Sequence, residues 1–204
     1  MTQPARSVAG VILAAGEARR FGAQKLLAPF EGRPIVQHVI DAANAAGLAD
    51  AVLVVGADAD AILAGIALGR VRPVWNPDYA TGQASSLQAG LRALGDLDAA
   101  LVLLADVPGV TTALLEALLA KQRETGAPAV SSRWAGRRMP PVLLHRELWP
   151  AALALSGDVG MRDVLAGRKD VAEVEVTAAL GALDDVDTRA DHERLSTARP
   201  ATRS

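Results

Sequence analysis

The stretch GVILAAGEARRFGAQKLL, from Gly10 to Leu27, decides the fold, because its apolar start predicts a buried strand and its end predicts a helix. Small residues follow the strand and let a base or a phosphate approach the backbone closely. Basic residues and a further glycine come next: Arg19, Arg20, Gly22 and Lys25. Loop amides and such cations suit a polyphosphate, although a glycine-rich turn whose charges face water has the same composition.

Two familiar phosphate loops do not match this stretch. A Walker A loop needs a lysine directly after glycine and a hydroxyl after the lysine, but two residues separate Gly22 from Lys25 and a leucine follows. A dinucleotide fingerprint needs a glycine two positions after Gly16, where Ala18 stands. The loop therefore belongs to another class.

Further along the chain, apolar runs alternate with helix-period segments. The runs AVLVVG, VRPVWN and AALVLLAD predict three more strands, and PIVQHVIDAANAAG predicts a helix between Pro34 and Gly47. This order implies parallel strands joined by right-handed crossovers. Ligands of such sheets bind at the carboxyl ends of the strands, so we expect the loops near Ala14, Asn76 and Asp106 to converge.

The regular alternation ends at Pro128. The segment PAVSSRWAGRRMPPVLLH has strand-like pieces separated by a basic turn and by Pro140 and Pro141. Prolines argue against a central strand, so we expect a substrate-facing insertion here. Beyond it, VAEVEV predicts another strand, and LDDVDTRADHERL predicts a last step from strand to helix.

Composition and charge narrow the class of partner. A chain of 204 residues suits one domain, and its net charge of −2 offers no bulk attraction to nucleic acid or to an anionic membrane. The absence of cysteine excludes disulfides and cysteine nucleophiles, and the three histidines lack zinc-ligand spacing. No apolar run approaches the roughly 18 residues of a membrane span. We expect a cytoplasmic protein with a small-molecule partner and no nucleic-acid or membrane partner.

The opening segment LAAGEARRFGAQKLLAPFEGRPIVQHV resembles the LAAG-x-S-x-R-M-G-x-x-K-x-L signature of nucleotidyltransferases with a glycosyltransferase-A-like fold. The branch it resembles is molybdenum cofactor cytidylyltransferase and its MobA-like NTP transferase relatives. The resemblance implies an α/β fold, three-layer and Rossmann-like, with a mostly parallel sheet. It also implies transfer of CMP from CTP to a phosphorylated acceptor, the molybdenum-carrying molybdopterin cofactor or a similar pterin, with release of pyrophosphate. A molybdoenzyme or its chaperone would be the protein partner.

The resemblance also implies roles for particular residues. Lys25, Arg20 and Asp106 would be catalytic. The chain departs from the family signature at Ala18 and Arg19, where family members often have serine. The segment NPDYATGQASSLQAGL resembles the family's N-P-[DE]-W-x-x-G-x-x-x-S-L segment and leads into a helix. Its serines would contact the base or the ribose, and the alternative is that a serine only caps the helix and binds no ligand. The implied nucleotide-binding residues are Leu13, Ala14, Ala15, Gly16, Arg20, Lys25, Asn76, Gly82, Ser85 and Ser86. Since the guanylyltransferase branch reads L-A-G-G, the methyl group of Ala15 favours CTP over GTP.

Two aspartates are the implied Mg²⁺ ligands. Asp106 ends the apolar run LVLLAD and resembles the aspartate of the family's G-D-x-P step, although a carboxylate there also caps a turn. Asp187 in DDVDTRADHERL resembles the first aspartate of the I-D-T-P-E-D-L ending, with Arg189 in place of proline. A hard divalent ion usually needs more than one carboxylate, and a helix N-cap is the alternative role for Asp187.

The acceptor side is less defined. Asp158 in SGDVGMRDVL matches the family's G-D-x-G-x-R segment, and Arg137 and Arg138 offer charge for an acceptor phosphate or form a solvated turn.

We expect a flexible N-terminus over residues 1–7, one nucleotidyltransferase domain over 8–196 and a disordered tail over 197–204. Within the domain, 8–127 would bind the nucleotide and 128–170 would face the acceptor. A guanylyltransferase or another NTP transferase, a small-molecule oxidoreductase of MobA-like ancestry and a non-catalytic nucleotide sensor stay open as alternatives.

Overall fold

The apolar runs of the sequence form strands in the computed structural model, which describes residues 5, 7–16, 21 and 24–198. In chain order the strands are β1 Val8–Ala14, β2 Pro29–Phe30, β3 Arg33–Pro34, β4 Asp50–Val55, β5 Arg72–Trp75, β6 Ala99–Leu104, β7 Ala129–Trp134, β8 Arg137–His145 and β9 Val171–Glu175. The helices are α1 Ile35–Ala45, α2 Ala59–Ala64, α3 Gln83–Ala93, α4 Thr112–Thr125, α5 Trp149–Leu153, α6 Met161–Val164 and α7 Arg189–Ala198. None of these helices has the length and apolarity needed to cross a membrane, among the residues described.

Seven strands build one sheet in the order β5-β4-β1-β6-β8-β7-β9, and β2 and β3 form a separate small hairpin. β1 lies between β4 and β6 and pairs in parallel with both. β8 runs antiparallel to its neighbours β6 and β7, whereas β9 returns to the parallel direction beside β7. The sheet is therefore mostly parallel, as the alternation of strands and helices predicts.

Helices cover both faces of this sheet, because successive side chains of each strand point to opposite faces. Ile12 of β1 packs on one face in a cluster with residues of α1, α2 and α4. Val11, its neighbour, packs on the other face with residues of α3, α5 and α6. The result is a three-layer, Rossmann-like α/β fold of the glycosyltransferase-A-like type, which confirms the predicted fold class.

The expectation that prolines exclude a central strand was wrong. β8 contains Pro140 and Pro141 and lies inside the sheet. β6 pairs with β8 only up to Val142, and the register between β7 and β8 shifts at Ser131/Ser132, so that neither proline has a paired partner. A missing amide hydrogen costs little at such an irregularity.

Two other local expectations also need correction. Lys25–Leu27 forms a single 3₁₀ turn, and the first α-helix begins only at Ile35, after the β2-β3 hairpin. Residues 182–188 form no strand, so α7 follows a loop instead of a strand. α7 extends to Ala198, past the predicted end of the domain at 196, while residues 199–204 lie outside the described part of the chain.

Candidate active site

A cleft of about 990 Å³ opens at the carboxyl ends of the central strands. The turn after β1, the 3₁₀ turn that carries Lys25, the approach to α3 and the turn after β6 all line it, as expected for parallel strands. The loop before α6 and the loop before α7 complete the lining with Asp158 and Asp187. Seven residues of the predicted nucleotide site therefore line one cavity together with Asp106 of the predicted metal site: Leu13, Ala14, Ala15, Gly16, Lys25, Gly82 and Ser86.

Lys25 holds the two predicted metal ligands together. Its Nζ lies 2.7 Å from Asp106 Oδ2 and 3.2 Å from Asp187 Oδ1, and its side chain is only 13% exposed. Burial lowers the pKa of the ammonium, but the charges and hydrogen bonds of Asp106 and Asp187 outweigh it and hold the pKa above 10.5. Lys25 is the only cation among the described residues that line the cleft.

The chain brings these two aspartates together across a separation of 81 residues through one backbone contact. The Val186 amide donates to the carbonyl of Asp106 at 3.0 Å, which places Asp187 beside the end of β6. Asp185 adds a third carboxyl nearby. Partial burial raises the pKa of Asp185, and the negative charges of Asp187 and Asp106 raise it further. Acidic groups are therefore concentrated at this end of the cleft.

The residues present fit a divalent cation held by two carboxylates. The Lys25 ammonium already bridges Asp106 and Asp187, so one cation can contact both oxygens. Within the described ranges, no group of three or more His, Cys, Asp or Glu side chains is arranged to hold a metal ion. Mg²⁺ commonly binds one or two carboxylates and takes its remaining ligands from substrate phosphates and water. The site therefore suits a metal that arrives with a phosphate ligand.

Asn76 and Ser85 lie behind the cleft instead of lining it. Asn76 is 2% exposed, and its amide donates to the hydroxyls of Ser85 and Ser86 at 2.9 and 3.0 Å. The Ser85 hydroxyl also donates within its own turn, to the carbonyls of Asp78 and Gly82. Asn76 and Ser85 thus fix the start of α3, and Ser86 presents its side chain at the cleft.

A loop from another part of the chain caps the first turn of α3. The amide of Gln83 donates to Asp158 Oδ1 at 3.3 Å, and the amide of Ala84 donates to the carbonyl of Gly157 at 3.2 Å. A Cβ atom at Gly82 would lie 2.3 Å from the carbonyl carbon of Gly157, so the two backbones touch only because residue 82 is glycine. Asp158 is therefore a cleft residue whose carboxylate already neutralises the helix N-terminus.

The arginines predicted to meet the acceptor do not line the cleft. Arg138 donates from Nε to Glu173 Oε1 at 2.6 Å and from Nη1 to the carbonyl of Arg168 at 3.2 Å. Arg133 donates to the other oxygen of Glu173, and Arg137 is exposed on β8. These contacts tie β8 and β7 to β9. Arg137 and Arg138 therefore do not line the cleft, and their assignment to an acceptor phosphate stays a prediction.

Other residues reach the cleft without having been predicted from the sequence. They are Gln24, Leu26, Tyr79, Ala80, Thr81, Gln83, Leu104 and Gly157. Most of them neighbour a motif residue, and adjacency to Lys25, Gly82 or Asp158 is the signal that could have found them. Arg20, predicted to bind the triphosphate, lies outside the described residues.

Comparison with known proteins agrees with this geometry. The family model described as the MobA-like NTP transferase domain matches residues 10–174. Nicotine blue oxidoreductase of Paenarthrobacter nicotinovorans is 32% identical over 188 residues, which is 89% of this chain and 92% of that protein. The purine catabolism protein PucB of Bacillus subtilis is 32% identical over 197 residues, covering 91% of this chain and 94% of PucB.

Solved structures agree in fold. The crystal structure of Rv0371c from Mycobacterium tuberculosis H37Rv superposes with a TM-score of 0.82 at 28% identity, covering 94% of this chain and 98% of Rv0371c. A complex of Rv0371c with manganese gives a TM-score of 0.81 at 27% identity, over 95% of this chain and 100% of that one. A nucleotidyl transferase from Methanothermobacter thermautotroptrophicus shares the fold, with a TM-score of 0.77 at 22% identity over 95% of this chain and 97% of that one. Because the family model spans most of its length and two relatives are 32% identical over about nine tenths of it, the chain belongs to the MobA-like NTP transferase family.

Proposed function

We propose that the protein transfers CMP from CTP to a phosphorylated pterin-like acceptor, the molybdopterin cofactor, and releases pyrophosphate. The observation that supports this most is the Lys25 ammonium between Asp106 and Asp187, next to a loop of small residues at the carboxyl end of the sheet. Binding of a polyphosphate requires a positively charged side chain, backbone that the phosphates can approach closely, and carboxylates that hold the accompanying metal ion. The cleft offers all three within one cavity.

The proposed chemistry is an in-line displacement at phosphorus. An oxygen of the acceptor phosphate attacks the α-phosphorus of CTP, the new P–O bond forms, and the bond to the bridging β-phosphate oxygen breaks so that pyrophosphate leaves. Lys25 offsets charge on the transferring and leaving groups, and Arg20 is proposed to assist it. Asp106 and Asp187 would hold Mg²⁺, which supplies positive charge at the phosphates when bound. The transfer needs no protein nucleophile, so positioning and charge account for the catalysis.

The base would lie against the backbone of the loop after β1. Ala15 lines the cleft but is 2% exposed and packs in the cluster that contains Val11 and Leu87, so the preference for CTP rests on the resemblance of the sequence L-A-A-G to the cytidylyltransferase branch. This supports CTP over the larger GTP, with guanylyl transfer as the alternative within the family. Residues 8–127 would then supply the nucleotide side of the cleft.

The acceptor would enter from the side of Tyr79, Thr81 and Asp158, which line the same cleft as the loop after β1 but come from other segments of the chain. Asp158 belongs to the segment 128–170 that we assign to the acceptor. The nucleotidylated product would pass to a molybdoenzyme or its chaperone.

A second candidate function is reduction or oxidation of a small heterocycle. The identity to nicotine blue oxidoreductase, 32% over 89% of this chain, favours it. The loop after β1 lacks the dinucleotide fingerprint that a nicotinamide cofactor commonly uses, which argues for nucleotidyl transfer.

A thermal-shift panel with the four nucleoside triphosphates and NAD(P)H, each with and without Mg²⁺, tests the proposal directly. Stabilisation of the native state reports binding, and a ligand at about 100 times its Kd adds about 2.7 kcal/mol. We expect CTP with Mg²⁺ to stabilise the protein most, and pyrophosphate to be released when a molybdopterin acceptor is added. Stabilisation by NAD(P)H alone, with oxidation of the cofactor, would support the oxidoreductase instead.

Asp106→Asn is the variant that links turnover to the site. The strand end keeps its shape but loses one anionic ligand, so pyrophosphate release should fall below detection while thermal unfolding shows a folded protein. Asp60→Asn is the matched control, because Asp60 is exposed in the first turn of α2 and does not line the cleft. Full turnover by Asp106→Asn at saturating Mg²⁺ would remove Asp106 from the mechanism.

A further inference from the structure

The C-terminal segment packs directly on the loop that carries Lys25. Phe21 lies in that loop and is 7% exposed, in a cluster with Phe30, Ile35 and the fully buried Val186. Leu195 of α7 packs against the same cluster. The end of the chain therefore forms part of the support for the loop near its beginning.

Two polar side chains of α7 bond to backbone on either side of Lys25. The Arg189 guanidinium donates from Nε to the carbonyl of Phe21 at 3.3 Å, across 168 residues of chain. His192 donates from Nε2 to the carbonyl of Pro29 at 2.7 Å, and its ring meets Phe21 edge-on with centroids 6.1 Å apart. Phe21 precedes Lys25 and Pro29 follows it, so α7 contacts both ends of this stretch.

The start of α7 is itself well fixed. The Thr188 amide and hydroxyl both donate to Asp191 Oδ2, at 2.9 and 2.7 Å, and the Asp191 amide donates back to the Thr188 hydroxyl at 3.1 Å. Just before it, the Val186 amide bonds to the carbonyl of Asp106 at the end of β6. Arg189 and His192 therefore extend from a backbone that is anchored to the central sheet.

Arg189 is a departure from the motif discussed above. The I-D-T-P-E-D-L ending that this segment resembles has proline at the corresponding position, and a proline has no side-chain donor for the Phe21 carbonyl. A proline would also suit the first helical position, so helix formation alone gives no reason for arginine here. The contact with the loop does give one.

We propose that Arg189 and His192 are positioning residues for the triphosphate-binding loop. They hold the backbone before and after Lys25 and set the affinity for the triphosphate without touching it. This inference rests on the proposed function only for the identity of the ligand. The restraint of the loop by α7 is a property of the free protein and can be measured in the absence of any nucleotide.

The test compares the full chain with Arg189→Met and His192→Phe, each of which removes a donor and keeps apolar bulk. Hydrogen–deuterium exchange of the amides of residues 24–30, which lie between or beside the two contacts of α7, should be faster by about three- to tenfold in each variant, as expected for losing one hydrogen bond. KM for CTP should rise by a similar factor while kcat changes little, because Lys25 keeps its own charge. Arg189→Lys, which keeps a cationic donor, should restore part of both effects.

Arg194→Met is the matched control, since Arg194 is an exposed arginine of the same helix that bonds to Asp191. Unchanged exchange over residues 24–30 in both Arg189→Met and His192→Phe would overturn the proposal, and so would an equal effect of Arg194→Met. Exchange that increases throughout the chain would show a general loss of stability and would also count against it. If exchange rises as expected but no triphosphate binds, the restraint by α7 stands and the proposed function fails.

Discussion

Replacing Lys25 by methionine removes the ammonium but keeps an unbranched stem of similar length, so it isolates the charge. In the variant Asp106 and Asp187 face each other without the cation that lies 2.7 and 3.2 Å from them. The hydrogen-bonded pair with Asp106 is partly buried, and such charged hydrogen bonds contribute about 1.5–3 kcal/mol. Asp187 is 48% exposed, so its share is at most about 1 kcal/mol.

We therefore expect Lys25→Met to lower the free energy of unfolding by about 2–3 kcal/mol at pH 7. For a domain of this size, each kcal/mol corresponds to about 2–4 °C in Tm, so Tm should fall by about 4–12 °C. Denaturant and thermal unfolding in the presence of a chelator measure both quantities. The loss should come without any change in the secondary structure of the folded state.

Manganese provides the decisive comparison. In Lys25→Met the two carboxylates are free to bind a divalent cation, so Mn²⁺ should stabilise the variant more than the wild type. At about 100 times its Kd the metal adds about 2.7 kcal/mol, which would offset most of the loss. The double variant Lys25→Met, Asp106→Asn is the control, and Mn²⁺ should stabilise it only weakly. Equal stabilisation of wild type and Lys25→Met by Mn²⁺, or no loss of stability in the chelator, would refute this reading of the ion pair.

Three further outcomes follow from single contacts. Gly82→Ala forces a φ of +115° on an alanine whose Cβ would lie 2.3 Å from Gly157. Chemical denaturation should therefore show a larger loss in the free energy of unfolding than for the control Gly95→Ala, by at least about 1 kcal/mol. A Cβ at Gly95 meets nothing within 4 Å. The hydrogen bond from Arg138, opposed by burial and supported by a second hydrogen bond from Arg133, holds the pKa of Glu173 below 4.5, so Glu173→Gln should cost about 1 kcal/mol above that pH. The difference should vanish as the pH falls through the lowered pKa, and a constant difference down to pH 3 would contradict this assignment. Ala15→Gly should raise kcat/KM for GTP relative to CTP, by about tenfold to two-hundredfold if one methyl group excludes the purine, and an unchanged ratio would exclude the steric explanation.

The central sheet and the position of Asp106 at the cleft could be predicted because their signals are local. The apolar run of β6 ends at Asp106, and a carboxylate at that position is costly without a cation or a cap. Parallel order then places the loop with Lys25 beside it. Nothing in the sequence around either residue shows that they form an ion pair, since the pair depends on both loops at once.

The features that local patterns do not show depend on pairing between distant segments. Pro140 and Pro141 are tolerated because the β7-β8 register shifts beside them, which is decided by the partner strand. Arg138 is committed to Glu173 because β9 lies next to β7, a neighbour that no local pattern reveals. Likewise, Asn76 has the sequence context of a ligand contact, and only its burial shows that it serves the start of α3.

The backbone contact at Gly82 determines which parts of the cleft can diversify. The start of α3 and the loop at Gly157 touch without an intervening side chain. Neither segment can therefore move without the other, and the distance between them stays fixed. Tyr79, Thr81 and Gln83 line the same cavity, so smaller residues at these positions are the changes to try when the cleft is redesigned for a bulkier ligand. Libraries that randomise position 82 would mostly yield misassembled protein, whereas the three neighbouring positions offer a compact set for changing substrate range.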